Sequence, residues 1–293
     1  MAVEKAKETD AELVMASDPD ADRVGAAVKN NEGEWVLLNG NQTALMFVYY
    51  LITRWKELGK INGKEYIVKT IVTTETIKTI AERNGVEMYD VYTGFKWIAN
   101  VMRENEGKKN YIGGGEESYG FLCEDFVRDK DAVSACVILA EIAAWAKDQG
   151  LSLYQLLQKI YVEYGFSKEK GISVVKKGKS GAEEIEAMMK KFRENPLTEI
   201  AGSKVTYFYD YSTLKGKDYA ENETVTLDMP TTSNVLQYFT EDNTKVSIRP
   251  SGTEPKIKFY CEVHSKVKSI DELPEAEKAA EEKINQIKAS LGI

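Results

Sequence analysis

The sequence predicts an α/β protein in which a layered domain with a mixed or largely parallel sheet is followed by an α+β domain. The first domain is predicted because apolar, strand-like runs alternate with helix-like periodic segments between residues 66 and 112. The second is predicted because the chain beyond Gly165 changes to charged segments punctuated by glycine, with strand-like runs following one another. The two domains therefore differ in how strands and helices are ordered along the chain.

The elements of the first part can be justified in order. Residues 13–16 form an apolar run typical of a buried strand, and residues 24–28 and 35–38 form two more. Helical periodicity then extends over residues 42–58 and ends at a glycine. A βαβαβ succession and two further helices follow, with expected strands at 66–73, 86–92 and 110–112 and expected helices at 76–83, 97–106, 132–147 and 152–161.

The sequence of the second part predicts several strands, with one helix near its start and one near its end. The expected strands are 172–175, 205–209, 225–227, 235–239, 246–248 and 257–263, and the expected helices are 182–192 and 275–291. We divide the chain into residues 1–39, 40–165 and 166–293. The short first segment is expected to be the remnant of a larger domain, because ligand loops normally follow strands that are already flanked by others.

Composition excludes several classes of function. The 293 residues carry a formal net charge of −8 with the basic residues spread out, so no nucleic-acid partner is expected. No apolar stretch is long enough to cross a bilayer, so no membrane partner is expected either. The three cysteines are far apart, which favours reduced thiols and a cytoplasmic location. The one histidine, His264, follows a strand-like run, which argues against His-based triads and His metal sites.

Residues 18–23, with the sequence Asp-Pro-Asp-Ala-Asp-Arg, are the most informative segment. Asp18, Asp20 and Asp22 directly follow an apolar strand, and hard cations such as Mg²⁺ prefer carboxylate oxygens. An EF-hand is excluded, because its sixth and twelfth positions would be Arg23 and Lys29 instead of Gly and Glu. A phosphatase with an aspartyl nucleophile stays open as an alternative. Either way, the segment indicates phosphate chemistry.

Three further loops carry polar groups that suit a sugar phosphate. Residues 93–96 (Thr-Gly-Phe-Lys) lie between a strand and a helix, where backbone N–H groups bind anions. Residues 113–120 (Gly-Gly-Gly-Glu-Glu-Ser-Tyr-Gly) combine a flexible approach with carboxylates and a hydroxyl. Residues 249–255 (Arg-Pro-Ser-Gly-Thr-Glu-Pro) offer a guanidinium, two hydroxyls and backbone amides for a phosphate.

These four segments together resemble the α-D-phosphohexomutases, the family of phosphoglucomutases and phosphomannomutases. Residues 18–23 are similar to its magnesium loop, 115–118 to its sugar-binding loop and 249–255 to its phosphate-binding loop. Residues 93–96 resemble the segment that helps select substrate orientation. The four occur in the family's order, across essentially the whole chain.

The resemblance implies a role for each loop. Asp18, Asp20 and Asp22 would hold Mg²⁺, and Arg23 would lie near the transferring phosphate, a catalytic position. Lys96 would contact the substrate or transfer a proton. The substrate-binding residues would be Thr93, Gly94, Glu116, Ser118, Arg249, Ser251, Gly252 and Thr253. The acid of the Asp-Lys-Asp segment at 129–131 would order the sugar loop or cap the following helix.

The resemblance also implies a reaction and a missing part. In the family, a phosphoserine in the first of four domains exchanges phosphate with a hexose phosphate through a hexose 1,6-bisphosphate, and its Thr-Ala-Ser-His-Asn-Pro-like motif does not occur here. The chain is therefore expected to be an inactive C-terminal fragment, made of domains 3 and 4 and a remnant of domain 2. The Glu-Glu-Ser-Tyr-Gly form favours glucose phosphates over mannose phosphates. A non-catalytic module that binds phosphosugars is the alternative.

Overall fold

The structure is a computed structural model that describes residues 1–252 and 254–293, with the backbone alone for Lys179. The chain forms two compact units, Met1–Gly165 and Phe166–Ile293. The separate domain that the sequence predicts for residues 1–39 stays a prediction. Among the described residues, no helix is long and apolar enough to cross a membrane.

The N-terminal unit begins with a helix and a three-stranded antiparallel sheet in the order β1-β2-β3. The elements are α1 (Ala2–Glu8), β1 (Leu13–Ser17), β2 (Val24–Lys29) and β3 (Trp35–Leu38). The three strands confirm the predicted runs. The helix was not predicted, because it is short and highly charged and only Ala6 in it is buried. In the β1–β2 hairpin Ser17 lies opposite Val24, which places residues 18–23 at the hairpin end.

A second sheet of this unit is mixed, with the order β5-β4-β6-β7. Its elements are α2 (Gly40–Glu57), β4 (Glu65–Thr70), α3 (Thr76–Arg83), β5 (Glu87–Val91), α4 (Phe95–Asn105), β6 (Asn110–Gly115), β7 (Phe121–Cys123), α5 (Ala132–Asp148) and α6 (Leu153–Tyr164). Strands β5, β4 and β6 are parallel, and β7 runs antiparallel to β6. This arrangement confirms the predicted α/β layered domain.

Two details of this sheet correct the sequence predictions. The strand expected over residues 66–73 ends at Thr70, because the chain turns there and the Thr73 amide donates to the Thr70 carbonyl at 2.9 Å. The short strand β7 was not predicted. Because the three parallel strands end at the same edge of the sheet, the loops after Thr70, Val91 and Gly115 all leave on one side.

The core of this sheet is a cluster of buried apolar and aromatic side chains. The buried cluster consists of Tyr66, Val68, Val91, Phe95, Ile98, Met102, Tyr111 and Leu122. Phe95 is the first residue of α4, so its burial anchors the loop that precedes the helix. The residues before that helix are thus held against the sheet edge.

In the described part of the C-terminal unit, an antiparallel sheet is joined by two α-helices and a short 3-10 helix (Ile270–Glu272), which confirms the predicted α+β class. Its elements are β8 (Phe166–Val175), α7 (Gly178–Glu194), β9 (Glu199–Ile200), β10 (Ser203–Asp210), β11 (Lys215–Asp218), β12 (Glu223–Thr226), β13 (Leu236–Thr240), β14 (Lys245–Pro250), β15 (Lys256–Ser265) and α8 (Leu273–Leu291). The strand order is β12-β11-β10-β13-β14-β15-β8, with β9 beside β10. Strand β8 begins earlier than the predicted residue 172, because it pairs with β15 along its whole length.

Candidate active site

Residues 18–23, at the end of the β1–β2 hairpin, form a loop that brings three aspartates together, and we call it the aspartate loop. Asp18 Oδ1 accepts hydrogen bonds from the backbone N–H groups of Asp22 at 3.1 Å and Arg23 at 3.0 Å. These bonds fold the loop back on its first residue. As a result, Asp18, Asp20 and Asp22 each offer a carboxylate oxygen within 4.8 Å of the others.

The oxygens of this loop suit a hard divalent cation. Asp22 Oδ1 is buried and has no hydrogen-bond partner among the described residues. Although partial burial opposes the shift, the N–H groups of Arg23 and Asp22 lower the pKa of Asp18, which keeps it ionised. Arg23 is half exposed, with its Nε 3.7 Å from Asp22 Oδ1 and 4.0 Å from Asp18 Oδ2. An all-oxygen set with one unsatisfied buried oxygen fits Mg²⁺.

The two loops expected to contact the sugar are joined by a direct hydrogen bond. The Gly94 N–H donates to Glu116 Oε1 at 2.7 Å, and Glu116 is buried. Gly94 has a φ of 113°, a conformation that favours glycine. Thr93, which precedes Gly94, and Ser118, two residues after Glu116, are half-buried. The bond fixes the orientation of the Glu116 carboxylate relative to the loop before α4.

The N-terminal end of α2 packs against the sugar loop, residues 115–118. A Cβ on Gly40 would lie 2.0 Å from the Glu117 carbonyl oxygen, so only glycine allows this approach. Asn39 caps the helix in a capping box with Gln42. The helix start and the Glu117 backbone are therefore in close contact.

Backbone contacts also connect the aspartate loop to the sugar loop. The Val24 N–H donates to the Tyr119 carbonyl at 3.1 Å, and Arg23 and Gly120 form an isolated antiparallel bridge. The Ala132 N–H donates to the Ala21 carbonyl at 3.0 Å. The N-terminal unit thus brings three of the four predicted loops together.

Lys130 is a site residue that the sequence analysis did not single out by itself. Its Nζ lies 2.8 Å from Asp22 Oδ2 and 5.6 Å from the centre of the Phe95 ring. It therefore contacts both the aspartate loop and the start of α4. The signal was its place in the Asp-Lys-Asp segment after the sugar loop. Asp131 of that segment caps α5, accepting from the N–H groups of Val133 and Ser134.

Lys96 lies on the solvent side of this cluster. Its side chain is exposed, and its Nζ lies 5.0 Å from the centre of the Trp97 ring. The position is open to a ligand. Its role in substrate contact or proton transfer stays a prediction.

The fourth predicted loop belongs to the C-terminal unit. Arg249 pairs with Lys258 near the end of β14, and the Ser251 N–H donates to the Lys256 carbonyl at 2.7 Å. The Glu254 N–H donates to Ser251 Oγ at 3.3 Å, which curls the loop around Gly252. Thr253, the remaining predicted phosphate ligand, lies outside the described residues.

A cavity of about 880 Å³ lies beside this loop in the C-terminal unit. Ser251, Gly252 and Glu254 contribute to its wall together with Ile185 and Met189 of α7. The loop therefore has open space on at least one side.

Comparison with known families shows what this chain is similar to. The family model described as phosphoglucomutase/phosphomannomutase, alpha/beta/alpha domain III, matches residues 39–164. The model of the C-terminal domain of the same family matches residues 173–280. Together these two matches cover most of the chain.

Individual relatives agree with these matches. A phosphoglucomutase of Staphylococcus aureus (strain MRSA252) is 38% identical over 259 residues, which are 88% of this chain and 46% of the relative. A phosphoglucomutase of Staphylococcus haemolyticus (strain JCSC1435) is 33% identical over 264 residues, which are 90% of this chain and 47% of the relative. The chain thus spans about half the length of the curated relatives it matches.

Solved structures share the fold. A phosphoglucomutase/phosphomannomutase family protein from Burkholderia thailandensis superposes with a TM-score of 0.60 at 18% identity, covering 99% of this chain and 49% of that one. Parafusin, a phosphoglucomutase from Paramecium, superposes with a TM-score of 0.59 at 17% identity, covering 97% of this chain and 46% of that one. At these identities the likeness concerns the fold alone.

Proposed function

This chain belongs to the phosphoglucomutase/phosphomannomutase family, and we propose that it supplies the metal, sugar and phosphate loops of an enzyme that interconverts glucose 1-phosphate and glucose 6-phosphate. The observation that carries the proposal is the convergence of three loops in the N-terminal unit. There the Asp18–Asp22 carboxylates, Glu116 and Gly94 are connected by hydrogen bonds and backbone contacts. Such an enzyme is an isomerase and a phosphoprotein.

The proposed reaction moves one phosphoryl group at a time. A phosphoserine outside these residues gives its phosphoryl group to the free hydroxyl of the hexose phosphate, and the proton of that hydroxyl ends on the serine oxygen. The product is a hexose 1,6-bisphosphate. After the bisphosphate turns over, its other phosphoryl group returns to the serine, and the isomeric hexose phosphate is released. This chain alone does not contain the motif that would carry that serine.

Each loop has a proposed part in binding and orientation. Glu116 accepts hydrogen bonds from sugar hydroxyls, and Ser118 both accepts from and donates to them. Thr93 and Gly94 line the same side of the sheet. Arg249, Ser251, Gly252 and Thr253 hold the phosphate that is not reacting, since a guanidinium matches phosphate geometry. Arg23 and Lys96 face the phosphate that is transferred.

The aspartate loop is proposed to hold the cofactor. Asp18, Asp20 and Asp22 would bind Mg²⁺, which when bound neutralises charge on the phosphoryl oxygens. Arg23 and Lys130 keep these carboxylates in place through their ion pairs. A reducing, cytoplasmic location is part of the proposal, and the three free cysteines support it.

A calorimetric titration with glucose 1-phosphate in the presence of Mg²⁺ tests the proposal. We expect saturable binding by the chain, weaker binding of mannose 1-phosphate, and a loss of about 2–5 kcal/mol of binding free energy in Arg249→Ala if the contact is desolvated. Glu116→Gln keeps the shape of the side chain but removes its charge, so it should weaken binding about tenfold.

The matched control is Arg103→Ala, which removes an exposed arginine from α4, away from the loops in sequence. It should leave the titration unchanged. The assignment of the 249–255 loop is wrong if Arg249→Ala binds as tightly as the unchanged chain. A folded chain that binds neither sugar phosphate would overturn the proposed function itself.

A further inference from the structure

Lys69 is a buried lysine that directly follows three apolar or aromatic residues in strand β4. It lies in β4 after Tyr66, Ile67 and Val68, and its exposure is 0%. Burying an ammonium group is costly unless the charge is paired and hydrogen-bonded. A buried lysine at the end of a parallel strand therefore needs partners that balance its charge and accept its hydrogen bonds.

Two carboxylates provide them. Lys69 Nζ lies 2.6 Å from Asp90 Oδ1 and 2.9 Å from Glu75 Oε1, and it also lies 3.4 Å from the Thr73 carbonyl oxygen. Asp90 belongs to the neighbouring strand β5, whereas Glu75 and Thr73 belong to the connection after β4. The ammonium group of Lys69 thus connects its own strand β4 with strand β5 and with the chain segment that follows β4.

The strand register places Lys69 where both sugar-contacting loops begin. In the parallel pairing, Lys69 lies opposite Asp90 of β5 and opposite Gly115 of β6. Glu116 directly follows Gly115, and Gly94 comes four residues after Asp90. The two loops therefore leave the sheet on either side of this one lysine.

The contacts form a closed circuit. Lys69 pairs with Asp90, the β5 strand leads to Gly94, and the Gly94 N–H donates to Glu116. The neighbouring residue Glu117 accepts a hydrogen bond from Thr70 Oγ1 at 3.3 Å, which leads back to β4. Breaking the ion pair between Lys69 and Asp90 removes the side-chain contact that connects β4 to the strand before Gly94.

We propose that Lys69, through its ion pairs with Asp90 and Glu75, is a positioning residue that fixes the 93–96 loop relative to the Glu116 carboxylate. This inference rests on the proposed function for its biological meaning. It requires no contact between Lys69 and the substrate, since the side chain acts through the hydrogen bond between Gly94 and Glu116.

Amide hydrogen exchange on the full chain tests the positioning role without any ligand. In Lys69→Met we expect exchange of the Gly94 amide to become about tenfold faster, because the loop loses its anchor while the core strands keep theirs. Lys69→Arg keeps the positive charge between the two carboxylates and should restore slow exchange. Lys245→Met removes a buried lysine of the C-terminal unit and should leave Gly94 unchanged.

A second variant keeps the test decisive if Lys69→Met does not fold. Asp90→Asn leaves the pair between Lys69 and Glu75 in place but replaces the charged link to β5 by a weaker hydrogen bond to a neutral amide. Gly94 should therefore still exchange faster, while the unfolding midpoint stays close to that of the unchanged chain. Unchanged Gly94 exchange in folded Lys69→Met, or in Asp90→Asn, overturns the inference.

The same variants separate this inference from the proposed function. If the chain binds glucose 1-phosphate, Lys69→Met should weaken that binding about tenfold and Lys69→Arg should restore it. If the unchanged chain binds no sugar phosphate, the proposed function fails, yet the exchange result still decides whether Lys69 fixes the loop. Weaker binding without faster exchange would contradict positioning through Gly94.

Discussion

Each compact unit contains a lysine that is almost completely buried, and the two lysines are used differently. Lys69 in the N-terminal unit and Lys245 in the C-terminal unit have exposures of 0% and 1%. Both lie opposite a carboxylate in the strand register, Asp90 for Lys69 and Glu262 for Lys245. Both pairs join a lysine to a carboxylate, so the surroundings of each pair and its position in the sheet decide what it does.

The partners of the two lysines differ in their access to water. The side chains of Glu75 and Asp90 are 25% and 35% exposed, whereas that of Glu262 is 3% exposed. Lys69 lies where parallel strands end and loops begin. Lys245 begins β14, four residues and about 13 Å from Arg249 at the other end of that strand. A buried ion pair next to loops can orient a site, and one far from them mainly affects stability.

The largest expected effect is on the stability of the C-terminal unit. Lys245→Met leaves Glu262 buried without its lysine, and breaking a buried pair in this way costs about 3–5 kcal/mol. Lys69→Met should cost less, about 1–2 kcal/mol, because Glu75 and Asp90 can be hydrated. Unfolding in urea, monitored by amide hydrogen exchange, gives the free energy of unfolding of each unit separately. Equal losses of stability in the two variants would contradict the idea that access to water makes the pairs of Lys69 less costly to break.

A smaller effect is expected from a single partner of Lys69. Glu75→Gln keeps a hydrogen-bond acceptor and leaves the pair with Asp90, so it should cost no more than about 1 kcal/mol. The measurement is the urea midpoint of the N-terminal unit. Lys78 and Glu82 provide a matched control, because they form an exposed pair on α3 whose removal by Glu82→Gln should change almost nothing. A loss of stability larger than that of Lys69→Met would contradict this expectation, because Glu75→Gln keeps the pair between Lys69 and Asp90.

Much of the fold and of the candidate site could be predicted, because the informative patterns are local. The aspartates, the Gly94 turn and Glu116 each follow a predicted strand. For Gly94 and Glu116 that strand is parallel to its neighbour, and the ends of parallel strands are where ligand loops lie. Lys69 was missed because its pair with Asp90, 21 residues away in sequence, depends on strand register. Its signal was a lysine directly after the run Tyr-Ile-Val at residues 66–68. Strand β11 was missed because its sequence, Lys-Gly-Lys-Asp, shows no apolar alternation.

The smallest expected effect concerns pH and again separates the two clusters. His264 Nε2 lies 2.7 Å from Glu262 Oε1, so Glu262 joins the histidine and Lys245. Although burial opposes the shift, the Glu262 carboxylate, with a smaller contribution from Glu169, raises the pKa of His264. Despite its burial, Lys245 and His264 hold the pKa of Glu262 well below its ordinary value, so the carboxylate stays ionised. The N-terminal cluster contains no histidine, since His264 is the single histidine of the sequence.

The sign of the pH effect follows from the raised pKa of His264. A histidine that is protonated more readily in the folded state stabilises that state fully below its unfolded pKa of about 6.5, and this stabilisation is lost as pH rises through the folded pKa. The C-terminal unit should therefore become less stable above about pH 6.5, and His264→Gln should remove that slope. The N-terminal unit should show no such slope in this window. NMR titration of the one imidazole gives the folded pKa directly, and a value at or below that of an unfolded peptide would contradict the assignment.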